Sequence, residues 1–260
     1  MQDLKIGLVQ THQHWEDKAA NYTHFEAIFK KHLEGKDADL ILLPEMFNTS
    51  FTMNAHSMAE TMDGEAISWL KKQAALLKCQ LGASLIIKEE GHFYNRFVIV
   101  NETEVLAYYN KRHLFRMAGE NEFFSPGEER VVYELNGWRI LLLVCYDLRF
   151  PVFSRNHFDG QKQDYDLMIY IANWPEKRSY AWKNLIQARA IENQAFCLGL
   201  NRVGKDGNDI VYSGDSAIYD PWGNPELQCT PSQEVIQIQA INYEKLEDIR
   251  QKFPAYLDAD

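Results

Sequence analysis

Strand-length apolar runs that end abruptly in polar residues constrain the fold of this chain most strongly. One of them, LLLVC from 141 to 145, is followed at once by YDLRFP. An uninterrupted apolar run of this length is typical of a strand buried on both faces, and a polar segment with a proline indicates the turn that ends it. The pattern therefore predicts that Cys145 lies at the C-terminal end of a buried strand.

Similar runs alternate with amphipathic stretches along most of the chain. The main predicted strands cover 4–10, 39–45, 81–87, 166–174 and 196–203, and the predicted helices cover 17–34, 65–78 and 179–195. Between them, short strands meet at tight turns, including Asn136-Gly137, a dipeptide that strongly favours a β-hairpin. Parallel crossovers mixed with hairpins favour two packed sheets. We predict an α/β fold, a four-layer αββα sandwich of two mixed sheets flanked by helices.

The composition restricts the class of protein. The chain has 260 residues, of which 46% are hydrophobic, and no linker-like segment divides it, so we expect a single domain over 1–260. A net charge of -10 argues against nucleic acid as a partner, because binding to phosphates needs clustered Lys and Arg. We find no secretory leader and no run of about 20 apolar residues that could span a bilayer, so we expect a cytoplasmic protein.

The cysteines and histidines give no metal signature. The four cysteines are widely separated, which indicates neither a disulfide framework nor a zinc knuckle, and the eight histidines are scattered. His12 and His14 are neighbours, but no recognised metal-binding motif gives them a carboxylate or thiol partner, so a surface or loop position is the better interpretation. We therefore predict no bound metal.

Three other polar residues stand in positions similar to that of Cys145. Glu45 follows the apolar run LILLP, Lys111 ends the strand LAYYNK, and Glu120 lies in the loop that begins at this lysine. Ligands bind outside the carboxyl ends of strands in α/β sheets, so these side chains could converge there. Taken singly, a charged residue at a strand end more often marks only where solvent begins, and Cys145 alone could be a small buried apolar residue.

Together, these residue types are sufficient for acyl transfer. A thiol is a poor nucleophile at neutral pH unless a base removes its proton or a cation stabilises the thiolate. Glu45 is the candidate base and Lys111 the candidate cation. The ammonium of Lys111 and the backbone N–H of Tyr146 could also stabilise an oxyanion, a contribution of about 3 kcal/mol per donor.

The context and order of these residues resemble the nitrilase superfamily of carbon-nitrogen hydrolases. The resemblance extends over nearly the whole chain, through IGLVQ, LLPEMF, YNKRHLF, FFSPG, LLLVCYDLRFP, ARAIENQAF and NRVG. It implies Glu45 as general base and acid, Lys111 as oxyanion stabiliser and Cys145 as nucleophile. It also implies a second carboxylate, for which Glu120 is the first candidate and Glu122 competes. The αββα fold of the superfamily and assembly into a homodimer or higher homo-oligomer are further expectations.

Within the superfamily, CYDLRFP and YIANWP resemble the omega-amidase branch, which releases ammonia from 2-oxoglutaramate and 2-oxosuccinamate. The carboxylate of such a substrate needs a cation, and a guanidinium can bind it in bidentate fashion. Arg149 is the candidate, since it lies four residues after Cys145. Alternatively Arg149 pairs with Asp147 and holds the turn; Arg116 and Arg178 are weaker candidates for the carboxylate.

Asn173 and Trp174 end another apolar strand and are predicted to contact the substrate. Trp174 could form a wall of the pocket with Phe47, Phe115 and Phe124 as neighbours. For each of these aromatic residues a place in the hydrophobic core is at least as good an interpretation, because large aromatic side chains mainly supply buried area.

The sequence thus predicts a thiol amidohydrolase that forms a cysteine thioester with a small carboxylate-bearing amide and needs neither an organic cofactor nor a metal. Three alternatives stay open. One is a related amidase, nitrilase or N-carbamoyl hydrolase, and another is a non-catalytic family member that binds a partner. The third is a redox-sensing thiol, which the lack of a neighbouring resolving cysteine disfavours.

Overall fold

Two six-stranded mixed sheets form the centre of the computed structural model, which describes residues 2–258. In spatial order, the first sheet consists of β14 (Val235–Ile241), β1 (Leu4–Gln10), β2 (Leu40–Leu42), β3 (Gln80–Glu89), β4 (His92–Val100) and β5 (Val105–Asn110). The second consists of β13 (Pro225–Gln228), β12 (Ala217–Tyr219), β9 (Phe196–Asn201), β8 (Leu167–Ala172), β7 (Trp138–Val144) and β6 (Val132–Leu135). A separate hairpin joins β10 (Val203–Lys205) and β11 (Val211–Ser213).

The helices are α1 (Lys18–His32), α2 (Ala55–Met58), α3 (Glu65–Leu77), α4 (Glu120–Phe123), α5 (Pro151–Ser154), α6 (Ser179–Asn193) and α7 (Tyr243–Lys252). Single 3₁₀ turns cover Arg116–Ala118, Cys145–Arg149, Glu176–Arg178 and Ala255–Asp258. Across the part of the chain that the structure describes, no helix has the length and apolarity that crossing a membrane requires.

Burial confirms the predicted four layers. The largest hydrophobic cluster joins apolar side chains of β1, β2 and β4 to those of β7, β8 and β9, so it lies between the two sheets. A second cluster packs Phe25 of α1 and Leu70 of α3 on the first sheet. On the second sheet, α6 packs directly over β9, because a Cβ at Gly199 would lie only 2.1 Å from the Ile186 side chain. Helices therefore cover the outer faces of both sheets.

The parallel parts of the sheets bring several polar strand ends to one edge. In the second sheet, β7, β8 and β9 are parallel, with Val144 opposite Ile171 and Ala172 opposite Asn201. The residues that follow these strands, Cys145 and Asn173 among them, therefore emerge together. In the first sheet, β1, β2 and β3 are parallel, and Glu45 follows β2.

Most predicted elements are present, with shorter or shifted boundaries. Asn136 and Gly137 both have positive φ (52° and 86°) between β6 and β7, as a type I′ hairpin turn requires. The strand predicted over 39–45 is reduced to Leu40–Leu42. The helix α7, which the sequence patterns did not predict, packs Leu246 and Ile249 into the core.

Candidate active site

Cys145 occupies a sharp turn directly after β7. Its φ is 46°, a left-handed conformation that strains a residue with a Cβ, and its side chain is only 8% exposed. The buried carboxylate of Asp147 holds the turn: Oδ2 accepts hydrogen bonds from the Val144 N–H (3.0 Å) and the Tyr109 hydroxyl (2.8 Å). Its Oδ1 accepts from the His113 N–H at 3.0 Å. The turn therefore presents the thiol in a fixed position at the edge of the sheet.

Glu45, Lys111 and Glu120 form a completely buried charged cluster, to which Cys145 is adjacent. Lys111 Nζ donates to Glu45 Oε1 at 2.9 Å and to both oxygens of Glu120 at 3.0 and 2.9 Å. All three side chains have no exposed surface. Glu122, the competing second carboxylate, is exposed, so Glu120 is the carboxylate of this loop that meets Lys111.

Hydrogen bonds from three further residues fix the orientation of the two carboxylates. Asn95 Nδ2, on β4, donates to Glu45 Oε1 at 2.8 Å and lies 3.4 Å from Glu120 Oε1. The Asn173 N–H donates to Glu45 Oε2 at 2.7 Å, and the Phe115 N–H donates to Glu120 Oε2 at 2.6 Å. Asn95 is absent from the sequence-based predictions, although a polar residue inside the strand HFYNRFVIV gave a signal for it.

Gln13 is a second residue that sequence reasoning did not find. Its buried Nε2 donates to the backbone carbonyls of Glu45 (3.0 Å) and Met46 (3.1 Å), just after β2. Asn173 Nδ2 donates to the same Glu45 carbonyl at 2.5 Å. The main chain that carries Glu45 is therefore held from both sheets.

Burial and mutual charge control the ionisation of the cluster. Burial, and then the negative charge of Glu45, raises the pKa of the Cys145 thiol well above its ordinary value, although Lys111 acts in the opposite direction. For Lys111, burial alone would lower the pKa, but Glu120 and Glu45 outweigh it and the pKa is raised. Burial raises the pKa of Glu120, against the effect of Lys111. The resting site thus pairs a protonated thiol with a lysine that stays charged.

This arrangement can perform nucleophilic chemistry only if the thiol loses its proton as it reacts. The thiolate is the nucleophilic form, and the raised pKa of Cys145 keeps that form scarce at neutral pH. A carboxylate at the site can accept the proton during attack, while the Lys111 ammonium offers a positive charge to an oxyanion.

A cavity of about 550 Å³ opens above the thiol. Cys145, Tyr146, Asn173 and Trp174, all predicted site residues, line it. The Tyr146 ring packs against Phe115 with centroids 5.1 Å apart, and Phe115 also lines the cavity. By contrast, Phe47 packs in the core with Trp69 of α3 and Phe124 lies in a separate buried cluster, and neither lines the cavity.

The arginine that lines the cavity is Arg178, not Arg149. Arg178 is half-buried, and its guanidinium carbon lies 5.1 Å from the centre of the Phe115 ring. Arg149 is exposed and lies 5.0 Å from the centre of the Trp174 ring without lining the cavity. Arg116 is exposed and is also absent from the lining. The alternative pairing of Arg149 with Asp147 is wrong: among the described residues Asp147 pairs with His113, and the Arg149 guanidinium lies over the Trp174 ring instead.

The two carboxylates on the cavity wall, Glu16 and Asp206, already accept hydrogen bonds from other groups of the protein. Glu16 accepts hydrogen bonds from the Thr52 hydroxyl and the Asn54 amide. Asp206 Oδ2 accepts from the Tyr212 hydroxyl at 2.8 Å, and its Oδ1 accepts from backbone N–H groups. Among the described residues that line the cavity, Arg178 is the one with a positive charge. A negatively charged group entering the cavity would therefore meet this guanidinium.

Comparisons with known proteins agree with this geometry. The family model described as carbon-nitrogen hydrolase matches residues 5–251. Omega-amidase YafV of Yersinia enterocolitica is 43% identical over 262 residues, which cover 100% of this chain and 98% of that protein. 2-Oxoglutaramate amidase of Bacillus subtilis is 32% identical over 228 residues, 86% of each protein. The crystal structure of XC1258 from Xanthomonas campestris, a CN-hydrolase superfamily protein with an arsenic adduct in its active site, superposes with a TM-score of 0.95 at 43% identity and covers 100% of this chain and 98% of its own.

Proposed function

This chain belongs to the carbon-nitrogen hydrolase family and is an amide-hydrolysing enzyme, and on that premise we propose that it releases ammonia from small 2-oxo acids with a terminal amide, such as 2-oxoglutaramate and 2-oxosuccinamate. The observation that carries the proposal is the single described cation on the cavity wall, Arg178, above the Cys145 thiol. Relatives named omega-amidase and 2-oxoglutaramate amidase support it.

Arg178 binds the substrate carboxylate in this proposal and takes the role for which the sequence favoured Arg149. A guanidinium provides two parallel N–H donors for a carboxylate, and partial burial against Phe115 strengthens the attraction. Trp174 and Tyr146 flank the short carbon chain. The terminal amide then extends towards Cys145 at the floor of the cavity.

In the acylation step, Cys145 Sγ attacks the amide carbon while Glu45 accepts the thiol proton. The backbone N–H of Tyr146 and the Lys111 ammonium stabilise the oxyanion. Neutralising Glu45 weakens its hold on Lys111 and makes one Nζ donor available, while Glu120 keeps the ammonium in place. The Glu45 proton then passes to the amide nitrogen, the C–N bond breaks, and ammonia leaves a thioester on Cys145.

In the deacylation step, water takes the position that ammonia has left. Glu45 accepts a proton from this water as its oxygen attacks the thioester carbon, and Lys111 again stabilises the oxyanion. The C–S bond breaks, the proton returns to the Cys145 sulfur, and the dicarboxylate product leaves. Each of these steps uses side-chain and backbone groups of the protein together with water.

Ammonia release from a substrate panel tests the proposal. We expect wild type to act on 2-oxoglutaramate with a kcat/KM at least about tenfold above that for an uncharged linear amide, an uncharged nitrile or an N-carbamoyl amino acid. The first two offer no carboxylate to Arg178, and the third carries its carboxylate one atom closer to the carbonyl carbon, so it cannot reach Arg178 and Cys145 in the same geometry. Cys145→Ala is the control for background hydrolysis. A preference for a nitrile or an N-carbamoyl compound would overturn the assigned substrate class but not the family.

Assembly and location stay predictions. We propose a homodimer or higher homo-oligomer, following the family resemblance, and a cytoplasmic location, following the sequence-based expectation. Sedimentation equilibrium of the purified chain, and fractionation of cells that express it, are the direct measurements.

A further inference from the structure

A second group of ionisable side chains meets at the end of β1, outside the cavity. We call His12, His14, His24 and Glu234 the histidine cluster. Ring centroids of His12 and His14, and of His12 and His24, are both 4.5 Å apart. Glu234 Oε1 lies 3.1 Å from His12 Nδ1 and 3.2 Å from His24 Nε2. The sequence offered His12 and His14 without a carboxylate, and the fold supplies one from a position 222 residues along the chain.

The separations of three of these atoms suit a common metal ion. Zinc binds imidazole nitrogen and carboxylate oxygen at about 2.0–2.2 Å, so two ligand atoms on one tetrahedral ion lie about 3.3 Å apart. His12 Nδ1, His24 Nε2 and Glu234 Oε1 all lie within 4.8 Å of one another, and two of the separations are close to the tetrahedral value. Small side-chain movements would therefore complete the coordination geometry.

Three separate elements hold the ligands in place. His24 lies on α1 next to the fully buried Phe25. β14 runs antiparallel to β1 with Gln10 opposite Val235, which brings Glu234 beside the end of β1. Behind His12, a Cβ at Gly204 would lie 3.1 Å from the His12 Cβ, so the backbone there leaves little room. Ligands on rigid elements make a site before the ion arrives.

Hydrogen bonds from neighbouring residues hold the Glu234 carboxylate in one orientation, as metal sites require. Glu234 Oε1 accepts hydrogen bonds from the Thr11 hydroxyl at 2.5 Å and from the His12 N–H at 3.0 Å. Metal-bound carboxylates are commonly held by such partners. Because the Thr11 hydroxyl donates to Glu234, its 2.7 Å contact with His24 Nε2 needs a proton on that nitrogen. An ion that binds His24 Nε2 therefore replaces this hydrogen bond and requires the tautomer with the proton on Nδ1.

We propose that the histidine cluster binds one divalent transition-metal ion of the Zn²⁺ class through His12, His24 and Glu234. Two imidazoles and one carboxylate favour Zn²⁺, Co²⁺, Ni²⁺ or Cu²⁺ over Mg²⁺ and Ca²⁺, which prefer oxygen ligands alone. The partial exposure of the three side chains, 35% for His12, 16% for His24 and 48% for Glu234, leaves open positions for water and a path for the ion.

The site connects to the catalytic residues through one short segment. Gln13 lies between His12 and His14, and its side chain donates to the carbonyls of Glu45 and Met46. A bound ion would join this segment to α1 and β14 and so restrict its motion. The inference does not depend on the proposed substrate, because the metal takes part in no bond of the amide hydrolysis.

The test is a titration of the untagged chain with Co²⁺ and, in competition, Zn²⁺. We use the Cys145→Ala background so that the active-site thiol cannot bind the ion. Calorimetry and the visible d–d spectrum of Co²⁺ are expected to show one ion per chain, displaced by Zn²⁺. Thermal melting with and without EDTA gives a second readout, since an ion that binds only the folded state raises Tm.

Ligand variants decide whether the histidine cluster is the site. His24→Asn and Glu234→Gln should each weaken binding by about 100-fold or more and remove the metal-dependent rise in Tm. His32→Asn, on the same helix as His24 but outside the cluster, should leave affinity unchanged. Failure of the Cys145→Ala chain to bind Co²⁺ or Zn²⁺, or equal affinity in the His24→Asn variant, would show that the cluster is a hydrogen-bonded network and overturn the proposal.

Discussion

The buried charged cluster and the histidine cluster are built in the same way but in opposite surroundings. Both bring ionisable side chains together from distant parts of the chain: Glu45, Lys111 and Glu120 in one, and His12 and Glu234 with His24 in the other. The side chains of the buried charged cluster have no exposed surface, whereas the Glu234 side chain is 48% exposed. The two regions therefore contain similar contacts with very different access to water.

This difference decides what each cluster can do. In the buried cluster, charges are weakly screened, so burial and the neighbouring charges change the pKa values of Lys111, Glu120 and Cys145. In the histidine cluster, which is partly exposed, water competes with every contact and an ion can enter from solvent. Burial suits proton transfer along a fixed path, and partial exposure suits reversible binding.

The largest expected effect, on both stability and kcat, comes from removing the charge of the buried Lys111. Lys111→Met leaves Glu45 and Glu120 buried without an opposite charge, so the free energy of unfolding should fall by about 3–5 kcal/mol. Because an oxyanion donor is lost as well, kcat should fall by about 10²–10³ or more. Urea unfolding and ammonia release measure the two quantities. Lys252→Met, at an exposed lysine of α7, is the matched control and should change stability by less than about 0.5 kcal/mol.

Next in size is the effect of the cavity arginine. Arg178→Met should raise KM for 2-oxoglutaramate by about 10- to 100-fold, because a charge-assisted hydrogen bond contributes about 1.5–3 kcal/mol. KM for an uncharged amide should change little. Arg149→Met is the matched control and should stay within about threefold of wild type. The reverse pattern would assign the carboxylate to Arg149.

The pH dependence of thiol alkylation is expected to change by a smaller amount. Since burial and Glu45 raise the Cys145 pKa above its ordinary 9.0, alkylation by iodoacetamide should still accelerate above pH 9 in wild type. Glu45→Gln removes a negative charge and lowers that pKa, so the variant should be alkylated faster than wild type at pH 8 even though it has lost catalysis. Glu122→Gln, an exposed change in the Glu120 loop, should behave as wild type. A wild-type plateau below pH 8 would contradict the raised pKa.

The smallest expected effect is the change in stability when Glu234 of the histidine cluster loses its charge. Partial burial would raise the pKa of Glu234, but hydrogen bonds from Thr11 and His12 outweigh it and lower the pKa to about 2. A lowered folded-state pKa stabilises the protein above the unfolded value and ceases to do so as pH falls towards 2. In EDTA, Glu234→Gln should thus lower the free energy of unfolding by less than about 1 kcal/mol at pH 7, and by less still at pH 3. Urea unfolding measures this loss relative to wild type, and Glu102→Gln is the exposed control. A loss of the same size at pH 7 and at pH 3 would contradict the lowered pKa.

The sequence predicts the layers and the position of Cys145 well because both depend on local patterns. Apolar runs of strand length, and the Asn136-Gly137 turn, identify strands whatever their partners. Four layers then follow from how such strands and helices bury their apolar faces. The helix α7 has few apolar residues and only two fully packed ones, Leu246 and Ile249, so periodicity did not reveal it.

What the sequence could not predict depends on pairings between distant segments. The approach of Glu234 to His12 follows from the pairing of the first strand with the last, which no local pattern encodes. The place of the arginines has a similar cause. Asp147 fixes the turn after Cys145 through Tyr109 and His113, and Arg149 on this turn does not line the cavity. Arg178 lines it from a different segment, the turn Glu176–Arg178 that follows β8.

In the proposed mechanism, Cys145 carries the acyl group between the two half-reactions. The most direct measurement is the mass of the intact protein in samples quenched with acid at times from the first turnover of 2-oxoglutaramate to the steady state. Peptide mapping of the same samples then locates any modification at or near Cys145. We predict a transient mass gain equal to the substrate minus ammonia, located on Cys145 and absent from Cys145→Ala, which should release no ammonia above background. An unmodified Cys145 at every time point, together with undiminished ammonia release by Cys145→Ala, would contradict the claim.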